Sequence, residues 1–147
     1  MIDWVWHIRG SVPLAGPESS ALDRIENLLS AQYKSKRERG DDYVKFNDPL
    51  WQNMLSPNWL AMVLYDRGRF WVDRTLNGPT LRYELRSLHG FVFCLFGAIM
   101  FFSVGMLDGG IPNGLKIGTF AFCWVYGMNL FLAYFRVPRA IRKAVKG

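Results

Sequence analysis

Two apolar stretches, Leu88 to Leu107 and Ile117 to Phe135, occupy the last third of the chain, separated by nine residues that include Gly109-Gly110, Pro112 and Gly114. At a helical rise of about 1.5 Å per residue, a stretch of about 20 residues reaches about 30 Å, the hydrocarbon thickness of a bilayer. The spacing predicts two membrane spans in a hairpin. Whole-chain composition conceals this: a chain that is 50% hydrophobic and 20% charged could be an ordinary soluble domain, because a polar front averages against an apolar back.

Charge is equally uneven. Of the formal +6, residues 1–86 carry only +1, and Asp108 and Lys116 cancel between the apolar stretches. Arg136, Arg139, Arg142, Lys143 and Lys146 supply the remaining +5. A nucleic-acid binder ordinarily carries its excess charge on the folded domain that grips phosphate, so no nucleic acid is expected. A basic tail beside a span fits anionic lipid head groups instead, and these five cations are the candidate head-group contacts. Lys and Arg near span ends are retained on the cytoplasmic side, which places both termini there. The opening Met1-Ile2-Asp3-Trp4 lacks the pattern of a secretory signal. The layout, rather than any motif, resembles that of small bacterial inner-membrane proteins, which implies that membrane as the location.

The front of the chain reads as an α+β domain. Ile2, Trp4, Trp6 and Ile8 alternate with Asp3, Val5, His7 and Arg9, a strand period ended by Gly10, Pro13, Gly16 and Pro17. Ser19-Ser20 stand where a helix cap belongs, and Leu22, Ile25, Leu28 and Leu29 recur at helical spacing, predicting a helix over Ser20 to Gln32. Lys34 to Asp42 is a charged loop, Tyr43 to Phe46 a short strand, and Asn47 to Asn58 an irregular stretch. A meander follows: Leu60 to Tyr65, a turn at Asp66-Arg67-Gly68, Arg69 to Arg74, a turn at Asn77-Gly78-Pro79, and Thr80 to Arg86. The expected architecture is a small N-terminal antiparallel sheet with one covering helix, followed by a two-helix transmembrane hairpin. Its divisions are a cytoplasmic domain over 1–86, the hairpin over 87–136 and a basic cytoplasmic tail over 137–147. Gly90, Gly97, Ala98, Gly105, Gly118, Ala121 and Gly127 would let two spans approach closely.

Candidate sites are few. Asn129, an amide inside a span, must face protein, either a partner's span or its own first span. Trp51, Met54 and Leu55, beside Leu50 between Pro49 and Pro57, form an apolar knob suited to a partner or the membrane interface. The two histidines, His7 and His89, have no ligand partner, so neither haem nor metal is expected. Asp41, Asp42 and Asp48 cluster without a second acidic group, histidine or cysteine at metal or acid–base spacing, and read as solvated loop charge. Arg39-Gly40-Asp41 is a charged turn. Cys94 and Cys123 sit at depths that differ by about 9 Å, which argues against a disulfide. No phosphate loop, nucleophile elbow or paired cysteine motif is present, and no cofactor is implied.

Surfaces and anchoring without reactive groups point to a non-catalytic integral membrane protein, an accessory, scaffold or adaptor subunit of a larger membrane assembly. Its expected partners are membrane lipids and either another protein or further copies of itself. The alternative is a membrane-anchored lipid or hydrophobic-ligand binding domain, with an apolar pocket between sheet and helix. An enzyme using Asp41, Asp42, Asp48 or His7 is the least supported reading.

Overall fold

A computed structural model describes residues 6–34, 37–48, 62 and 65–146. The order is β1 (His7–Pro13), α1 (Glu18–Ala31), β2 (Arg37–Arg39), β3 (Tyr43–Asn47), β4 (Arg67–Thr75), β5 (Gly78–Arg86) and α2 (Leu88–Lys146). The strands form one antiparallel sheet in the order β1-β5-β4-β3-β2. The fold is therefore α+β, with a five-strand antiparallel sheet and a long C-terminal helix.

Several expected boundaries move. The opening strand runs through Gly10 to Pro13, and α1 begins at Glu18 behind Pro17, with no side-chain cap from Ser19 or Ser20. Proline fits there because its fixed φ suits a helix entrance and its missing N–H would have been unpaired anyway. The loop expected over Lys34 to Asp42 contains β2, and the turn expected at Asp66-Arg67-Gly68 is the start of β4. The β4–β5 turn falls at Leu76-Asn77, followed by Gly78 at φ +108°, where a side chain would be strained. Of the expected strand Leu60 to Tyr65, only Met62 and Tyr65 are described, and both are buried.

One sheet face is apolar. Val12, Val44, Phe46, Phe70, Val72, Leu81, Tyr83 and Leu85 point to a core shared with Leu22, Ile25 and Leu29 of α1. Five strands about 4.8 Å apart span about 19 Å, whereas a helix with its side chains is about 10 Å across, so one helix cannot cover the face. The second cover is the end of α2: Val137, Ile141 and Val145 join the same core. Their spacing of four keeps them on one helical face. The structure thus replaces the expected single covering helix with two helical segments, α1 against β3 and β4 and α2 against α1 and β1. Residues 137–146, read from sequence as a tail, are helical, and Arg24 Nη1 of α1 donates to the Val145 carbonyl at 2.7 Å.

The apolar region is also reorganised. It is one helical element, Leu88–Lys146, rather than two helices parted by a nine-residue turn, and it is long and apolar enough to cross a membrane. Helical dihedrals fail only at Gly109 (φ −146°, ψ 22°) and Gly110 (φ 74°, ψ −174°). Pro112 falls in the first turn after this break, where proline is tolerated. Residues before the break touch residues after it. The Phe91 ring lies 5.6 Å from Phe122 and 5.5 Å from Tyr126, both edge-on. A Cβ on Gly114 would stand 2.7 Å from the Phe102 carbonyl oxygen, so only glycine fits that approach.

Removing buried methyl groups costs transfer free energy plus a cavity term. Ile141→Ala is therefore expected to destabilise the full chain by about 2–4 kcal/mol, read as a fall in Tm in mild detergent. Lys143→Ala, on the exposed face of the same helix, should change stability by less than about 0.5 kcal/mol. Equal, small effects at both positions would contradict this packing.

Candidate functional site

Two chemically distinct features meet at the end of the sheet where β5 runs into α2. The first is a buried ionic cluster. Helix α1 closes with Tyr33 in the left-handed region (φ 58°), the Tyr33 N–H donating to Ser30 O at 3.0 Å and the Lys34 N–H to Leu29 O at 2.9 Å. This is a Schellman turn with tyrosine in the usual glycine position, and it turns Lys34 inward. The ammonium, only 2% exposed, donates to the Tyr65 carbonyl at 2.6 Å and pairs with Asp48 Oδ2 at 3.1 Å. It also lies 5.2 Å from the Phe46 ring centroid. Burial pulls the Lys34 pKa below the ordinary lysine value, and Asp48 offsets part of that pull. Burial likewise raises the neighbouring Tyr65 hydroxyl above its ordinary value.

Asp66 is the second buried carboxylate. Its Oδ2 accepts from Arg86 Nε at 2.8 Å, and its Oδ1 accepts from the Leu88 N–H at 3.0 Å. One side chain just before β4 thus neutralises the last residue of β5 and caps the first turn of α2, where a negative charge meets the positive end of the helix dipole. The Asp66 N–H donates to Arg86 O at 3.0 Å, and the Asp48 N–H to Asp66 O at 2.8 Å. These bonds carry the cluster across β3, β4 and β5. His89 Nε2 is buried beside it and has no hydrogen-bond partner among the described residues.

The second feature is the outer sheet face, which no described helix covers. Strand alternation sends Arg67 and Arg69 outward while Gly68, Phe70 and Val72 go inward. A groove of about 850 Å³ crosses this face, lined by His7, Lys45, Asn47, Arg67, Arg69 and Arg86, with Glu38 and Glu84 at its sides. Arg67 Nε donates to Asn47 Oδ1 at 2.8 Å, and the Arg69 guanidinium lies 5.6 Å from the Tyr43 ring and 5.5 Å from the Trp71 ring.

The residues singled out by sequence are scattered. Trp51, Met54 and Leu55 lie outside the described residues. Asn129 turns toward its own chain, its Nδ2 standing 4.0 Å from Cys94 Sγ. Arg136, Arg139, Arg142, Lys143 and Lys146 are exposed around the face opposite Val137, Ile141 and Val145. Asp41 and Asp42 are exposed, as expected of loop charge, but Asp48 is not: it is 4% exposed, because the Lys34 pair draws it inside. Where a ligand pocket was the alternative, Leu22, Ile25, Leu29, Val137 and Ile141 are fully buried against the sheet. A cavity of about 10 Å³ lies between Tyr65, Tyr126 and Asn129. Among the described residues no group of His, Cys, Asp or Glu is placed to hold a metal ion.

Sequence reasoning missed Lys34, Asp66 and the outer arginines. The arginine alternation was visible, but its significance depends on strand register. No protein-family model, curated protein or solved structure matches the chain.

Leaving one partner of a buried ion pair alone costs about 3–5 kcal/mol, whereas replacing both by apolar groups is often neutral. Lys34→Met and Asp48→Leu are each expected to destabilise strongly, and the double variant to recover most of the loss. The unfolded chain holds the Lys34 proton at alkaline pH values where the native state has begun to release it. Wild-type stability relative to the double variant should therefore rise as pH climbs toward about 10.4, the ordinary lysine value. Additive losses, or a fall in this window, would contradict a buried, charged pair.

Proposed function

We propose that this chain is a non-catalytic accessory or scaffold subunit of a membrane assembly, in which α2 folds at Gly109–Gly110 into a two-span hairpin and the sheet domain lies against the head groups. The observation that carries it is the shared core: Leu85, just before the apolar element, and Val137, just after its apolar part, pack in one cluster. Two points in one soluble core lie on one side of a membrane, so the apolar residues between them must cross twice or not at all. The contacts of Phe91 with Phe122 and Tyr126 support crossing twice. So does the outward apolar surface, which includes Phe96, Phe101, Phe120, Trp124 and Phe131. The charges of Arg136, Arg139 and Arg142 favour the cytoplasm as the side that holds the domain.

An accessory role rests on rigidity. Asp66 couples β5 to the start of α2, and Ile141 returns the other end to the same core, so the sheet domain has no free linker on which to swing. A fixed domain presents the outer sheet face and the outer surface of the spans to a partner at a constant attitude. Asn129, already engaged with Cys94, serves the hairpin's own packing in this reading.

The test has two parts. A membrane-impermeant thiol reagent should label Asn113→Cys from outside the cell, in a background lacking Cys94 and Cys123, while Arg139→Cys stays protected. Native mass spectrometry of gently extracted protein should then show a stoichiometric protein partner or a fixed homo-oligomer. Protection at Asn113 with release of the chain by alkaline carbonate would overturn the hairpin, and a strictly monomeric chain would overturn the scaffold role.

A further inference from the structure

The sheet domain carries a formal charge of only +1 by sequence, yet strand alternation sorts that charge unevenly. The outer face takes Arg9, Lys45, Arg67, Arg69, Arg82 and Arg86 against Glu38, Asp73 and Glu84. Each of those carboxylates is committed: Glu84 to Arg9 at 2.7 Å, Glu38 to Lys45 at 2.9 Å and Asp73 to Arg82 at 2.8 Å. Arg86 is held by Asp66. Arg67 and Arg69 are the arginines left over, exposed and without a carboxylate partner among the described residues.

Register decides where they stand. The antiparallel pairing sets His7 opposite Arg86, Arg86 opposite Arg67 and Arg67 opposite Asn47, one row across four strands. Behind it lies Arg9, Glu84, Arg69 and Lys45. The first row ends the sheet on the side where α2 begins. Arg86 precedes Leu88 by two residues, so their Cα atoms are at most about 7 Å apart. The polar layer beyond the hydrocarbon core is about 5–8 Å deep on each side. If Leu88 marks the hydrocarbon boundary, the first row lies in the head-group layer and the second just above it.

We propose that this end of the outer face binds the phosphate of an anionic phospholipid, with Arg67 and Arg69 as its principal donors. The inference rests on the membrane-hairpin reading above. A guanidinium presents paired N–H donors in a fork that matches phosphate oxygens. Tyr43 and Trp71 take the face of the Arg69 guanidinium, which leaves its in-plane donors for a ligand. Asn47 takes only Nε of Arg67, leaving the terminal nitrogens. A groove of about 850 Å³ falls within the range of small-ligand sites, large enough for a head group. Glu38 and Glu84 bound it on either side and disfavour a long polyanion laid across the sheet.

The test is native mass spectrometry of the full chain in mild detergent, titrated with phosphatidylglycerol or phosphatidylcholine of identical acyl chains. Wild type should retain phosphatidylglycerol preferentially. The R67Q/R69Q double variant should weaken that retention by about fivefold per arginine, roughly thirtyfold in all, with phosphatidylcholine unaffected. Both positions are exposed, and an unchanged Tm would show that the variant is folded. Undiminished phosphatidylglycerol retention by R67Q/R69Q, with the loss appearing instead in R139Q/R142Q, would overturn the proposal and return head-group binding to the C-terminal cations. Displacement of the lipid by inorganic phosphate at equal concentration would overturn it in favour of a soluble phosphate ligand. Tighter binding of an oligoribonucleotide than of lipid would overturn it in favour of nucleic acid. Release of the chain from membranes by alkaline carbonate would bring down the hairpin reading as well, whereas an embedded chain whose variant keeps its lipid brings down the site alone.

Discussion

The apolar face of the five-strand sheet is wider than one helix, and the rest of the structure follows from how that face is closed. Helix α1 covers the β3–β4 side, and the remainder is covered by Val137, Ile141 and Val145 at the far end of α2. Burying three aliphatic side chains is worth about 1.5–3 kcal/mol each, a large share of a small domain's net stability. The core is thus incomplete without residues that follow the entire apolar element. The chain must leave the sheet, traverse about 50 residues and come back, and the break at Gly109–Gly110 is where the backbone allows it.

Closing the inner face with two helical segments leaves the outer face uncovered by any helix among the described residues, and this places the polar chemistry. Acidic residues are mostly consumed elsewhere: Asp48 and Asp66 in the buried cluster, Asp23 and Glu26 against Arg39, Glu18 against Arg74. What remains outside is an arginine-rich sheet with aromatic neighbours. Its nearness to the start of α2 is enforced by Asp66, which accepts from both the last residue of β5 and the first N–H of the helix. Breaking that carboxylate's bonds would loosen one of two joints that set the sheet's attitude to the apolar element, the other being the packing of Val137, Ile141 and Val145 in the core.

Much of the fold was legible because local patterns agreed with the tertiary answer. The periodicity of Leu22, Ile25 and Leu29 gave α1, the alternation after Asn77-Gly78 gave β5, and the apolar run from Leu88 gave α2. The failures share a cause: a local signal was outweighed by something distant. Gly109-Gly110, Pro112 and Gly114 look like a loop, but only the first two leave helical angles, because proline is compatible with a helix's first turn. Lys34 sits in a charged run that looks solvated, and only the turn through Tyr33 and the carboxylate of Asp48 make an interior lysine intelligible. Val137, Ile141 and Val145 form a plain i, i+4, i+8 stripe, hidden by the basic residues around it. The candidate groove was least legible of all: Arg67 and Arg69 mean little until antiparallel register sets them beside Arg86, Asn47 and Lys45.

A distance across the break at Gly109–Gly110 tests most directly whether the two ends of α2 share one core. Spin labels at Val92→Cys and Val125→Cys, with the native cysteines replaced, would be read by double electron–electron resonance on the full chain in lipid nanodiscs. Both positions are exposed, and the neighbouring Phe91 and Tyr126 rings are 5.5 Å apart. A chain folded back at Gly109–Gly110 gives a single short distance, below about 25 Å. An unbroken helix would separate these 33 positions by about 50 Å, and that result would contradict both the hairpin and the shared core.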